Sequence, residues 1–488
     1  MINNKTGKKF FSIFLILAML LNMNLSVMAQ TKLDSEILPV LTEEGQSDTL
    51  QTGVDNEDNS ELTEQESSDE ILPETDNENN FYEMELEPSD IIQPEDDNME
   101  ETPGLVLDTL QTEIESEDFI VTEYGQLTEY NGDDTVVAIP SEISGITITS
   151  ISNSAFQGNT KITKVTIPNT VTEIEPGIKT TVNWVDKYDS AFSGCTNLKE
   201  VVFENGGKNP LKVGNYTFTA VSNLEKVVFS TTRKTSLGES VFEKCTALKD
   251  VNFEESKLKS IGKLCFAQTD LESVTLPNTL EIISEGSNGM TSGAFGGCLK
   301  LNEVYFAPGG NERLVLGAGT FYNLTNLSKI ELPKDRPVSF GDGNNGISVF
   351  QNCGITEIDL TGQVEKLGLR AFNGCKKLVS VKLGENITDI PNFAFSDCPE
   401  LISINLENIK SIGANSFQNS NKLSEISEDN ILSVIEEIGA SAFANTGIGK
   451  ITIYNKDAKI NLNSFTGSSS IIIYGWIGSD AQACGTNE

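Results

Sequence analysis

The stretch from Leu367 to Leu406, LGLRAFNGCKKLVSVKLGENITDIPNFAFSDCPELISINL, holds two copies of one pattern. Each copy reads Ala-Phe-x-x-Cys-x-x-Leu-x-x-Val/Ile-x-Leu, where x is any residue. Its phenylalanine recurs at Phe372, Phe395 and Phe417, so the period is 23 and then 22 residues. A fixed period of this size is typical of a solenoid, in which each unit buries its apolar face only against its neighbours.

The same phenylalanine marks 13 positions along the chain. They are Phe156, Phe192, Phe218, Phe242, Phe266, Phe295, Phe321, Phe350, Phe372, Phe395, Phe417, Phe443 and Phe465. All but the last are followed by the Leu-x-x-Val-x-Leu core or a variant of it. Because side chains of an extended chain alternate between two faces, the fourth and sixth residues of this core point the same way. The sequence therefore predicts an α/β solenoid of about 13 coils, each with a short inward strand.

The run from Ala155-Phe156 to Ile167-Pro168, followed by Val171-Thr172-Glu173-Ile174, resembles the BspA-like subclass of bacterial leucine-rich repeats. The resemblance covers residues 119 to 479. It implies a leucine-rich repeat rod whose strands expose one face to solvent. It also implies a surface protein of the kind associated with adhesion to host proteins and to other bacteria.

The first 29 residues have the features of a secretory signal peptide. Lys5, Lys8 and Lys9 precede an apolar run, Phe10–Leu21, and small residues come just before Gln30. This run has 12 residues, whereas a membrane-spanning helix needs about 20. We therefore expect residues 1–29 to be removed and the protein to be secreted or held at the cell surface, without a membrane span.

An acidic segment, residues 30–118, follows the signal peptide. From Thr31 to Asp118 it contains 30 Asp and Glu residues, and Lys32 is its one basic residue, in a chain with a net charge of −38. Such a composition buries too little apolar surface to offset the entropy of ordering, so we expect a disordered spacer. A weak sink for divalent cations or basic partners is the alternative. The charge disfavours nucleic acid as a partner.

The repeats, residues 151–470, are expected to lie between two caps. The N-terminal cap, 119–150, is predicted to begin with a hairpin around Gly125, and the C-terminal cap, 471–488, to contain a strand and a short helix after Ser479. The longest insertion, between Phe156 and Phe192, carries Trp184. Packing of Trp184 onto the rod is the favoured interpretation, and an exposed stacking platform for a sugar or a protein is the alternative.

Six of the 8 cysteines lie three residues after the repeat phenylalanine. This position predicts a column of free, buried thiols along the core, and Cys265 is interpreted in the same way. Cys484 could pair between molecules. The chain contains no histidine, which excludes Ser-His-Asp and Cys-His catalysis and histidine-ligated zinc. We expect no cofactor, no metal and no enzymatic activity.

The outward residues of the strands are the candidate partner-binding face. The candidates are Lys199, Glu200, Glu225, Lys226, Glu303, Tyr305, Glu357 and Asp359, with Trp184 as a loop candidate. Because this set lacks the Trp, Tyr and Arg cluster of a strong hot spot, a solvated face with weak or multivalent contacts is favoured over a specific docking face. The predicted function is an adhesin-like, non-enzymatic protein that binds host matrix or other cell surfaces. The alternatives are a structural surface component without a ligand, and a secreted carbohydrate-active enzyme or accessory module.

Overall fold

Each repeat of the sequence folds as one turn of a solenoid with two short strands. The computed structural model describes residues 113–115, 118–283, 293–341, 347–468 and 471–485, all in the unit Pro103–Glu488. The predicted signal peptide and almost all of the predicted acidic spacer lie outside the described residues. The predicted solenoid is confirmed.

The inward strand of each coil contributes to a first row of parallel strands. In the described part of the chain, its 14 strands form sheets of five, three, three and three strands. They are Val136–Ala138, Lys164–Ile167, Glu200–Phe203, Lys226–Val228, Asp250–Val251, Ser273–Leu276, Glu303–Phe306, Lys329–Ile330, Glu357–Leu360, Ser380–Leu383, Ser403–Ile404, Ile431–Leu432, Lys450–Ile453 and Ile472–Tyr474. The count of 14 agrees closely with the 13 coils expected from the phenylalanines.

A second row is formed by strands that come just before the phenylalanine of the following coil. It forms one sheet of 11 strands and one of four. The strands are Glu113–Glu115, Phe119–Thr122, Gln126–Tyr130, Ser150–Ile151, Glu173–Ile174, Leu211–Val213, Thr235–Leu237, Leu258–Ile261, Ile282–Ile283, Leu314–Leu316, Val338–Phe340, Asp389–Ile390, Ser411–Ile412, Glu437–Ile438 and Lys459–Ile460. Two small hairpins complete the strands: Glu142–Ile143 with Ile146–Thr147, and Ile178–Val182 with Val185–Asp189.

The core between the rows contains a continuous stack of phenylalanine rings. All 13 repeat phenylalanines are buried, as predicted. Rings of neighbouring coils lie 4.6–5.6 Å apart between centroids and are inclined by only 1–19°. Tyr130 and Phe119 extend the stack into the N-terminal cap. The offset rings bury apolar surface in every coil and align one coil with the next.

The side of each coil that carries the phenylalanine consists of turns. In an α/β solenoid this side would carry helices. The second residue after the phenylalanine has a positive φ in all 13 coils, and ten of these residues are Gly, Asn or Asp. A left-handed residue ends a right-handed helix, and these three residue types adopt it at least cost. Among the described residues, α-helix is therefore confined to Asp480–Gly485, with a 3₁₀ turn at Glu428–Asn430.

Within the described residues the first row is interrupted three times, and two of the interruptions follow a turn that is one residue shorter than usual. In most coils the first residue of the core follows the phenylalanine by six residues, but Ile355 follows Phe350 by only five. The strand Glu357–Leu360 then has no parallel pairing to Lys329–Ile330. The same shortening precedes Ser273–Leu276, where the row is also interrupted. Ile448 follows Phe443 by five residues as well, but there Lys450–Ile453 pairs with Ile431–Leu432, so the shorter turn alone does not interrupt the row.

The two ends of the solenoid carry a hairpin and a short helix. Phe119–Thr122 and Gln126–Tyr130 form the predicted antiparallel hairpin, in which Gly125 has a φ of 82°. Glu113–Glu115 pairs with Phe119–Thr122, so the paired backbone starts six residues before the predicted boundary at residue 119. At the other end, the helix Asp480–Gly485 follows the last first-row strand.

The cysteine column forms hydrogen bonds between coils. All 8 cysteines are free, and Cys265 and the six column cysteines are buried, as predicted. Each column thiol donates to the carbonyl of the repeat phenylalanine one coil earlier, at 2.9–3.3 Å. Ser420 and Ser468 donate to the same kind of carbonyl at 2.9 and 2.6 Å. The column therefore also satisfies a backbone acceptor, which packing arguments alone did not anticipate.

Burial of these thiols predicts a loss of stability at alkaline pH. Burial raises the pKa of Cys353 to about 12, from 9.0 for an exposed thiol. A pKa raised in the folded state contributes stability that is complete below pH 9 and is lost as the pH rises towards 12. At pH 10 the Cys353 thiol should cost about 1.4 kcal/mol relative to pH 7. In urea titrations, the stability of the wild type minus that of Cys353→Ser should fall by this amount between the two pH values. An unchanged difference would contradict a buried thiol.

Candidate binding surface

The outward side chains of the first row form an exposed surface, which we call the first-row face. Along Lys164–Ile167 and Glu200–Phe203, buried side chains alternate with partly exposed ones, as the period of two predicts. All eight candidate strand residues lie on or beside this face. The structure places them in three regions along the face.

The four candidates nearer the N-terminus form ion pairs between neighbouring coils. Lys199 pairs with Glu225 at 3.1 Å, and Glu200 pairs with Lys164 at 3.1 Å. Lys226 pairs with Asp250 at 2.7 Å, and the hydrogen bond that it donates to that carboxylate raises the lysine pKa. Exposed pairs of this kind contribute about 0–1 kcal/mol each. This region is therefore neutralised by contacts within the chain.

Tyr305 lies in a second group, further along the face. Its hydroxyl donates to Glu303 at 3.2 Å, and the Lys329 ammonium lies 5.1 Å from the ring centroid. Lys329 also pairs with Glu331 at 2.7 Å. The carboxylate of Glu331, and next the Tyr305 hydroxyl, raise the pKa of Lys329 to about 12. The ring is held in place by charged neighbours and is only partly exposed.

Glu357 and Asp359 line a groove at the second interruption of the first row. The groove has a volume of about 930 Å³ and is also lined by Phe306, Pro333 and Lys382. Burial favours the protonated form of Asp359, but hydrogen bonds from Lys334 and Thr361 outweigh it and lower the pKa to about 2. Asp359 is therefore ionised at any physiological pH. The groove combines apolar walls with charges of both signs.

The last two coils carry a cluster of exposed aromatic residues, which we call the aromatic patch. It consists of Tyr454, Tyr474 and Trp476, which are half exposed, with the exposed Ile472 and Ile477. The indole N–H of Trp476 donates to the Tyr454 carbonyl at 2.8 Å. This bond fixes the indole beside the end of the neighbouring strand. Exposed and immobilised Trp and Tyr side chains are the composition of a binding hot spot.

The sequence reasoning missed the aromatic patch, because it assigned residues 471–488 to a cap. The sequence contained a signal for it, because the alternation of inward and outward residues continues into the last strand. Ile472–Tyr474 continues the first row in register with Lys450–Ile453, so alternation directs Ile472 and Tyr474 outward. Reading this segment as a fourteenth strand would have found two of the five residues.

Trp184 lies away from the first-row face, at the tip of the hairpin Ile178–Val182 and Val185–Asp189. Asn183 and Trp184 form its two-residue turn with φ values of 51° and 65°, and the Trp184 side chain is 98% exposed. The prediction that Trp184 packs onto the rod was therefore wrong. The two-residue turn directs its central residues away from both strands. The buried Tyr188 instead packs the hairpin onto the rod, with its ring centroid 5.6 Å from that of Tyr216.

The described ranges contain neither a transmembrane helix nor a metal-binding cluster. No helix there combines the length and the apolar content required to cross a bilayer. Nor does any group of three Cys, Asp or Glu side chains come together there as a metal site would require.

A family model described as BspA type leucine-rich repeat region matches most of the chain. The matches cover residues 137–183, 178–291, 287–341 and 346–472, with 6 copies of the repeat. A search of curated proteins finds no match.

Several solved structures are similar to this chain. A leucine-rich repeat protein from Bacteroides ovatus is 20% identical, with 75% of this chain and 89% of that chain covered and a TM-score of 0.37. A leucine-rich cell surface protein from Faecalibacterium prausnitzii is 17% identical, with coverages of 77% and 98% and a TM-score of 0.33. The pneumococcal vaccine antigen PcpA is 16% identical, with coverages of 76% and 95% and a TM-score of 0.37.

Proposed function

Because the chain belongs to the BspA-type leucine-rich repeat family, we propose that it is an exported adhesin that binds proteins of the host matrix or of other cell surfaces. The repeat rod provides a long scaffold, and its first-row face provides the binding surface. Residues 1–29 would direct export, and residues 30–118 would separate the rod from the surface that carries it.

The aromatic patch is the observation that carries this proposal. Ile472 and Tyr474 lie on the first-row face and the other three residues follow its last two strands, and their aromatic and apolar character contrasts with the paired charges around Lys199 and Glu225. Trp and Tyr side chains dominate the energetics of protein interfaces because they bury a large area at low entropic cost. A protein ligand centred on Trp476 fits this surface best.

We also propose that the chain is not an enzyme. The absence of histidine leaves a carboxylate pair or a Ser/Lys pair as the possible catalytic groups. The alternative of a carbohydrate-active enzyme makes a clear prediction. A screen of glycan substrates would then find turnover, and a single carboxylate substitution would abolish it.

The chain contains only two tryptophans, which allows a matched test of the binding site. The full chain, Trp476→Ala and Trp184→Ala are applied to immobilised host matrix proteins and to intact bacterial cells, at low and at physiological salt. We expect Trp476→Ala to weaken binding about 10-fold or more, as truncation of a hot-spot residue does, and Trp184→Ala to bind like the wild type. Equal melting temperatures would establish that all three proteins are folded.

Two results would contradict the proposal. Loss of binding in Trp184→Ala alone would move the site to the exposed hairpin, the second candidate. No binding by the wild type to any member of a broad panel would favour a structural surface component without a ligand. Tyr474→Ser provides an independent change in the same patch if Trp476→Ala fails to fold.

A further inference from the structure

The interruption of the first row leaves two strands with free edges that face each other. Lys329–Ile330 pairs with Glu303–Phe306 on its other side, and Glu357–Leu360 pairs with Ser380–Leu383. Within the described part of the chain, neither a strand ladder nor a backbone hydrogen bond joins the two strands. Backbone N–H and C=O groups are strong hydrogen-bonding groups that normally find partners. Each strand therefore presents backbone groups that another extended chain could satisfy.

The interruption leaves the core intact, and the second row is reduced there to a single bridge. In the core, the rings of Phe321 and Phe350 are stacked at 5.4 Å between centroids, which is the ordinary spacing of the solenoid. In the second row, Val338 still bridges to Val364. The coils are therefore in contact elsewhere, and the groove is a local opening of the strand surface.

The size and lining of the groove suit an extended peptide. Its volume of about 930 Å³ extends across residues of both strands and of the coils on either side. The buried side chains of Ile330 and Ile358 lie at its base, and Phe306 and Pro333 contribute apolar walls. A strand of four residues is about 13 Å long and spans the length of the first-row strands. The lining contains no Tyr or Trp on which a sugar could stack.

The charges around the groove provide selectivity for the peptide sequence. Asp359 is paired with Lys334 at 2.8 Å, whereas Glu357 and Lys382 form no ion pair with any described residue. Glu357 and Lys382 lie on neighbouring paired strands. A peptide with a basic residue near Glu357 and an acidic residue near Lys382 would complement both charges.

We propose that this groove binds an extended peptide segment of a protein partner, which adds as a strand to the free edges of the first row. Main-chain hydrogen bonds would supply the affinity and the groove side chains the specificity, as in other cases of strand addition. This site is distinct from the aromatic patch, so it adds a second binding region to the rod and does not depend on the proposed adhesin ligand.

The test uses linear peptides selected by phage display on the full chain. The selected peptide is synthesised in two forms, one unmodified and one with N-methyl groups on alternate backbone amides. N-methylation removes backbone donors and leaves the side chains intact. We expect the N-methylated peptide to bind about 10-fold more weakly or worse, because several backbone hydrogen bonds are lost together. Fluorescence polarisation measures both affinities.

A variant that closes the groove supplies the second arm. One lysine inserted between Gly354 and Ile355 restores the spacing of the regular coils, and we expect it to restore the strand ladder and abolish peptide binding. Trp476→Ala serves as the control and should bind the peptide like the wild type. That result separates this site from the aromatic patch.

The outcomes decide between strand addition and other modes. Loss of binding on N-methylation and on lysine insertion supports the proposal. Equal binding of the two peptides, or full binding by the insertion variant, would overturn it, and so would the failure to select any peptide. The N-methylated peptide keeps the test decisive if the insertion variant does not fold.

Discussion

Phe395→Ala should lower the free energy of unfolding by about 3–5 kcal/mol, the usual cost of truncating a buried phenylalanine. The Phe395 ring is fully buried and stacks between Phe372 at 5.2 Å and Phe417 at 5.5 Å, with inclinations of 1° and 4°. Alanine would leave a cavity and separate the two adjacent rings. Because coils contact only their neighbours, the loss cannot be shared with distant parts of the rod.

Phe393→Ala is the matched control for this substitution. Phe393 lies two residues away in the same coil and is only partly buried. The guanidinium carbon of Arg370 lies 5.0 Å from the centroid of its ring. Its truncation should cost about 1 kcal/mol or less. Guanidinium chloride titrations followed by circular dichroism measure both variants. Equal losses in the two variants would show that the rings do not form the stack.

Gly262→Ala should also be strongly destabilising, by about 3 kcal/mol, for a reason unrelated to backbone dihedral angles. A Cβ at this position would lie 2.2 Å from the Gly238 carbonyl oxygen and 2.3 Å from the Gly238 carbonyl carbon in the preceding coil. These are backbone atoms of a paired region, so they cannot rotate away as a flexible side chain could. Overpacking of a tight contact typically costs 1–3 kcal/mol.

The chain offers an internal control in Gly449. A Cβ there would meet no atom within 4 Å, and the residue is exposed. Gly449→Ala should therefore change the stability by less than about 1 kcal/mol. The melting temperatures of the two variants measure the difference. If Gly262→Ala melts at the wild-type temperature, the backbones at Gly262 and Gly238 do not approach each other this closely.

The repeat made most of the core predictable. The spacing of Phe372, Phe395 and Phe417 identifies the ring stack, and the alternation after each phenylalanine identifies the inward strands. Both are local patterns that recur with every coil, so a single sequence contains many observations of the same structural unit. The column of buried thiols followed from the same register.

The candidate binding surface was predicted only in part. The alternation placed residues such as Lys199 and Glu357 on or beside the first-row face, but it did not reveal that Lys199 is paired with Glu225 while Glu357 lines a groove. Cross-coil pairing depends on which side chains meet across about 23 residues of sequence. The same holds for Trp184, because its exposure follows from the direction of the hairpin and not from its neighbours in sequence.

The sequence by itself determined the solenoid, the inward strands of the first row and the buried rings, because these depend on a short pattern repeated at a nearly constant period. The tertiary structure decided where the row is interrupted, which charges neutralise each other, and where Tyr474 and Trp476 form an exposed patch. These features depend on departures from the period and on contacts between neighbouring coils. Such contacts arise only when the coils stack, since the local pattern specifies a coil but not the irregularities between one coil and the next.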